Sequence, residues 1–259
     1  MPSYTTDCIV LRRLDFGETD RILTLFSREH GKIAAIAKGA RKPLSKFAGV
    51  SEVMTRAECQ LGTGKSLDIV SQTEIKSTFT GIRQDLVRMA HGLYLVDLVE
   101  HATEDRHPNP ELFDLLDTAL SELKATSNPA ILARWFEVRL LDNLGYLPDI
   151  TNCVICQCET PGSFPDDLVY GLSISQGGVV CPDDLSWDVD SDHYVLSLDA
   201  LSFLEEIVLS TSPADIEKWR PEPANHRQVR VAIRQYIRYR LERELKSLQF
   251  LDSVSPDHL

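Results

Sequence analysis

Between residues 4 and 75 apolar and polar side chains alternate with a period of two, in β-branched runs set apart by turn residues. Five strands are predicted, at 5–11, 21–27, 32–37, 52–61 and 67–75. In the fourth, Val53, Thr55, Ala57, Cys59 and Leu61 face one way, and Met54, Arg56, Glu58 and Gln60 the other. Turns are expected at Asp15-Phe16-Gly17, Glu29-His30-Gly31 and Gly62-Thr63-Gly64. Short strands in this number suit a small closed barrel, an OB-fold ahead of an SH3-like barrel. Cys8 and Cys59 fall on apolar positions and read as small core residues.

After Thr78 the period becomes 3.6. Ile82, Leu86, Met89, Leu93, Val96 and Val99 mark one long helix, and Leu112, Leu115, Leu116, Ala119, Leu120 and Leu123 a second. A third opens with Asn128 as cap and Pro129 at its first position, carries Ile131, Leu132, Trp135, Phe136 and Leu140, and stops at Gly145. Residues 146–195 are rich in Pro, Gly, Asp and Cys, with two short strand-like pieces, and helix resumes at 199–209 and 225–248. The fold class is therefore α+β and multidomain: an N-terminal OB-fold β-barrel over 1–80, then an α-helical domain over 81–259 with a small zinc-ribbon-like insert at about 146–195.

Charge changes the picture. The 259 residues carry 27 Lys+Arg against 39 Asp+Glu, a net of −12, yet residues 1–80 hold 12 cations against 9 anions. A mildly basic barrel is joined to a strongly acidic remainder, so the two parts are expected to meet different partners. Arg12, Arg13, Arg21, Lys32, Lys38, Arg41, Lys42 and Lys46 gather at strand ends and in one loop, where Phe47 offers a stacking surface beside phosphate-pairing charge. They are the candidate DNA-binding residues, set against the plainer reading of a solvated basic surface.

The six cysteines come without a basic start or an apolar leader, which argues for a reducing, cytoplasmic setting and against both a disulfide framework and a membrane span. Cys153-x-x-Cys156 followed by Cys181 has half the spacing of a zinc ribbon, whose thiolate pairs surround a tetrahedral ion. Asp184 stands where a second pair would be completed, and Cys158 is the other candidate for a fourth ligand. One structural zinc ion is the only cofactor expected. Gly64-Lys65-Ser66 imitates the end of a phosphate-binding loop, but position 59 is Cys where a glycine is needed and a strand follows instead of a helix, so no nucleotide is expected. No Gly-x-Ser-x-Gly elbow or His-Glu-x-x-His helix is present, and the chain does not read as an enzyme. Arg227, Arg230, Arg234 and Arg238 line one face of the last helix beside Val229 and Ile233, as a solvated face or an additional DNA-contacting edge.

One set of motifs is distinctive: Ile9-Val10-Leu11, Gly17-Glu18-Thr19-Asp20-Arg21, Leu25-Phe26-Ser27-Arg28-Glu29-His30-Gly31-Lys32 and Ala37-Lys38-Gly39-Ala40-Arg41-Lys42. In these the chain resembles the RecO family of bacterial DNA repair proteins, most strongly over residues 4–46 and in register to the end. It departs from the family at Asp184, where Cys is frequent. The resemblance implies an OB-fold, a helical C-terminal domain and a cysteine zinc element. It also implies a mediator that binds single- and double-stranded DNA, anneals complementary strands, and with RecR helps load RecA onto DNA coated by single-strand-binding protein. The acidic C-terminal tail of that protein is then expected on the Arg227, Arg230, Arg234 and Arg238 face, and the chain is expected to join the nucleoid during repair. The competing class is a protein–protein adaptor without direct DNA binding.

Overall fold

A computed structural model describes residues 2–161, 168–186, 192–216 and 218–254. Parts of the expected insert, 162–167 and 187–191, and the extreme C-terminus, 255–259, lie outside the described residues. Strands β1 (Ser3–Phe16), β2 (Asp20–Ser27), β3 (Gly31–Ala37), β4 (Arg56–Gly62) and β5 (Asp68–Ser77) close in the order β1-β2-β3-β5-β4. β1 is long enough to serve two partners: Ser3–Ile9 pairs with β4 and Cys8–Phe16 with β2, both antiparallel. The parallel pairing of Ala35 with Asp68 and Ile36 with Ile69 brings β3 against β5 and completes the barrel. This is the OB-fold arrangement, so the SH3-like alternative falls.

The barrel interior takes Val10, Leu23, Leu25, Ile33, Ala35, Ala57, Cys59, Leu61 and Val70, with Cys8 Sγ 3.2 Å from Cys59 Sγ. Small residues are needed because five strands leave a narrow bore. Outside, Ile9 and Phe26 are buried, Phe26 with its ring centroid 6.0 Å from that of Phe113. Phe113 belongs to α3 (Pro110–Leu123), which follows α1 (Thr80–Arg83) and α2 (Leu86–Ala102). The single helix expected from Ile82 onward is therefore two. Asp85 is extended and its carboxylate accepts the Arg88 amide at 2.9 Å, which starts α2 there and leaves Leu86 exposed.

The remaining elements are α4 (Pro129–Asn143), β6 (Val169–Ser173), β7 (Gly178–Val180), β8 (His193–Ser197), α5 (Leu198–Leu209), α6 (Pro213–Ile216), α7 (Pro223–Leu241) and α8 (Lys246–Val254). β7, β6 and β8 form an antiparallel sheet in that order, and Ser197 caps α5 by accepting the Ala200 amide at 3.2 Å. α4 is buried nearly all round, and Arg134 and Glu137, both buried, pair at 2.6 Å within it. The continuous helix expected over 225–248 breaks at Glu242, whose backbone is left-handed at φ 52. No glycine or proline marks the break. It is imposed by packing, since α8 turns back onto α2, where the Ser247 amide and hydroxyl bind Asp97 Oδ2 at 3.1 and 2.5 Å.

The chain therefore has two compact units. One contains everything up to Pro129 together with the segment from Leu245, and the other spans Ala130–Glu244. The change of period near residue 80 marks the end of the barrel, not the end of the first unit. Among the described residues no helix is long and apolar enough to cross a membrane.

Candidate nucleic-acid interface and cysteine centre

The turn from β1 to β2 and the connection from β3 to β4 are tied together at one end of the barrel. The Arg41 amide donates to Thr19 O at 2.8 Å, its guanidinium to Gly17 O at 3.2 Å, and the Gly39 amide to Asp20 Oδ1 at 2.7 Å. The Gly39 amide, then the Thr19 hydroxyl, hold the Asp20 carboxyl below the usual carboxylate range. Around this joint lie Arg13, paired with Glu52, and Arg21, bonded to Ser51 Oγ at 2.7 Å and to Glu52 at 3.1 Å. Arg41 reaches Asp15 at 3.4 Å. Lys38 and Lys42 are exposed, and their ammonium groups make no hydrogen bond or ion pair among the described residues. Five of the eight expected cations thus meet at one place.

The other three are placed differently. Arg12 is exposed on the outer face of β1 and pairs with Glu100 at 3.1 Å. Lys46 donates to Ser71 O at 3.0 Å and stands 4.8 Å over the Phe47 ring. Lys32 donates to Glu100 O at 2.8 Å and Thr103 O at 2.6 Å, so it ties β3 to the carbonyl end of α2. Its ammonium is occupied by the fold itself.

Phe47 cannot be the stacking surface, because its side chain belongs to the barrel core. The exposed aromatic is Phe16, 50% accessible, in a row with Leu14, 60% accessible. Register puts Leu14 opposite Ile22 and Ile22 opposite Ile36, so these residues share the outer face of β1, β2 and β3. That is the face, with its adjoining loops, on which OB-folds receive oligonucleotides. The expected strand stopped at Leu11 and the expected turn was Asp15-Phe16-Gly17, whereas β1 runs on to Phe16. The register shift between Val10 and Arg12 is what lets β1 continue with Arg12, Leu14 and Phe16 on one side.

A second constellation lies in the other unit. Cys153, Cys156 and Cys158 sit in a tight loop closed by the Cys153 amide to Cys158 O at 2.8 Å and the Gln157 amide to Cys153 O at 2.9 Å. Cys181 follows β7, and the Val154 amide to Val179 O at 2.9 Å joins the two segments. All four sulfurs lie within 4.8 Å of one another, with Cys156 and Cys181 at 3.7 Å. Tetrahedral thiolate zinc with bonds of about 2.3 Å sets neighbouring sulfurs about 3.8 Å apart, so the group can hold such an ion. Burial works against a thiolate at Cys153, but amides of Cys181, Cys156 and Ile155 outweigh it and hold that thiol below its ordinary value. Burial raises Cys181 to about 11, while Cys156 is pushed up mainly by its bond to Asp184. Asp184 Oδ2 accepts from Cys153 and Cys181 at 3.3 Å each, beside a set of sulfurs that is already four with Cys158.

Two family models cover the chain almost end to end: "Recombination protein O N terminal" matches residues 1–79 and "Recombination protein O C terminal" residues 83–249. The chain belongs to the RecO family. It is similar to the DNA repair protein RecO of Pelotomaculum thermopropionicum, 38% identical over 252 residues that cover 97% of this chain and 94% of that protein. It is also similar to the proteins of the same name from Desulforamulus reducens, 32% identical with 100% and 98% covered, and Bacillus cereus, 32% identical with 95% of each covered.

The arginine stripe of this RecO-family chain is less uniform than its spacing implies. Arg227 and Arg238 are exposed, whereas Arg230 and Arg234 are half-buried. Burial first, and Arg134, Arg230 and Arg234 next, hold the His226 imidazole down to about 3, so it stays neutral near pH 7. Val229 and Ile233 are fully buried and give the stripe no apolar edge. Arg238, ion-paired with Glu244, instead lines an open cleft of about 770 Å³ together with Tyr146, Tyr194, Tyr239, Glu242 and Arg243.

Proposed function

We propose that this chain is a recombination mediator that binds single- and double-stranded DNA at the basic end of its barrel and anneals complementary strands. With RecR it helps load RecA onto DNA coated by single-strand-binding protein. The observation that carries this reading is the meeting of Arg13, Arg21, Lys38, Arg41 and Lys42 at the barrel end next to the exposed Leu14–Phe16 face. Cations displace counterions from phosphates, and Phe16 accepts a base without reading its sequence. Annealing then needs no covalent step, because two partly neutralised strands held on one protein meet at raised effective concentration.

Cys153, Cys156, Cys158 and Cys181 would hold one structural zinc ion, with Asp184 hydrogen-bonded outside the sulfur set. Four protein ligands leave no open position, so the ion would supply rigidity to the insert and no chemistry. The acidic tail of single-strand-binding protein is assigned to the Arg238 end of α7 and its tyrosine-lined cleft, since Arg230 and Arg234 are half-buried and Arg238 is exposed. Titration of labelled single-stranded DNA at two salt concentrations tests the whole reading. Affinity that falls steeply with salt supports it, and absence of binding at low salt leaves the protein–protein adaptor.

A further inference from the structure

The connection from β3 to β4 is a run of consecutive turns. The Ala40 amide donates to Ala37 O at 3.4 Å, Lys42 to Gly39 O at 3.1 Å, Ser45 to Lys42 O at 3.1 Å and Ala48 to Ser45 O at 3.2 Å. In the first turn the third position is Gly39, at φ 68. In Lys42-Pro43-Leu44-Ser45 proline holds the second position and Leu44, at φ 61, the third. This is the arrangement of a type II turn, whose third position favours glycine because a side chain there is crowded. The chain keeps a leucine in it, and that leucine is fully exposed.

A strained backbone persists only where its surroundings impose it, and these do. Ala40, Phe47 and Val50 root the loop in the barrel core, and Arg41 fastens it to the β1–β2 turn. Leu44 is therefore an apolar side chain carried on a fixed base, between Lys42 and Lys46 and in the same connection as Lys38 and Arg41. The residues that flank it are cationic, the complement of a phosphate backbone.

We propose that Leu44 is a wedge that enters between adjacent base pairs of duplex DNA while Lys38, Arg41 and Lys42 neutralise the phosphates on either side, an inference that rests on the DNA-binding reading. Inserted apolar side chains unstack a base step and kink the duplex, and the bases bury the side chain in return.

The test is a set of duplexes carrying 2-aminopurine at successive positions, with fluorescence and anisotropy read together on the full chain. Unstacking relieves the quenching of this base. The wild-type protein is expected to raise the fluorescence at one or two positions, and Leu44→Phe to do the same. Leu44→Gly, which suits the left-handed turn and so folds, is expected to bind with retained anisotropy and lose the rise. Binding by the wild type without a rise, or a rise that survives in Leu44→Gly, overturns the wedge and leaves DNA binding standing. No anisotropy change at any salt concentration overturns both.

Discussion

At the scale of single residues, the eight barrel cations separate by what already holds them. Lys32 is committed to two carbonyls of α2, whereas Lys38 and Lys42 have solvent around them. Lys32→Ala should lower stability by about 2 kcal/mol, because it removes charged hydrogen bonds and bares the carbonyl end of a helix. DNA affinity of the folded protein should be unchanged, and denaturant unfolding beside a binding titration checks both halves. Lys38→Glu with Lys42→Glu should do the reverse. The melting transition should stay near wild type while affinity for single strands falls, and the salt slope should flatten by about 0.7 for each phosphate that is no longer neutralised. Both sets of lysines occupy similar positions in the sequence pattern. The difference is that α2 ends beside Lys32, and no local pattern announces that.

At the scale of elements, the cysteine loops and α7 carry the sharpest expectations. With zinc held by the four sulfurs as proposed, chelation, or Cys153→Ser, should destabilise the second unit by several kcal/mol, since the binding free energy of a structural metal is folding free energy. Cys158→Ser should release the metal equally, whereas Asp184→Asn should retain it, and elemental analysis beside thermal melting tells the two ligand sets apart. The tight loop and its thiols were legible from Cys153-x-x-Cys156 and Cys181, but the choice between Cys158 and Asp184 depends on how the loop folds. The hydrogen bond from the Cys153 amide to Cys158 O is what brings the third sulfur of the loop inward. On α7 the spacing of three and four correctly put four arginines on neighbouring positions. Which of them see solvent the spacing does not give: Arg227 and Arg238 are exposed, Arg230 and Arg234 half-buried. Arg238→Glu with Arg243→Glu should therefore weaken binding of an acidic tail peptide at least tenfold, about 1.4 kcal/mol, in calorimetry, with DNA affinity nearly intact.

At the scale of the whole molecule, the pattern along the chain is enough to set the order of elements. A period of two over the first seventy or so residues, then a period of 3.6, marks the barrel, α3, α4 and α5, because side-chain periodicity is a local consequence of backbone geometry. Charge partition and the motif strings likewise point, without any coordinate, to a basic barrel and to the RecO family. Whatever requires two distant segments to meet was settled by tertiary packing instead. Packing closed β3 on β5, sent Phe47 into the core and left Phe16 outside, through a one-residue shift in β1 that reverses which face each side chain takes. It also broke the last helix at Glu242 so that α8 could pack on α2, a place where the chain offers no glycine, no proline and no loss of helical propensity. The reason is the same in each case: local propensity is worth tenths of a kcal/mol per residue, and burying an apolar face against a partner element is worth several times more.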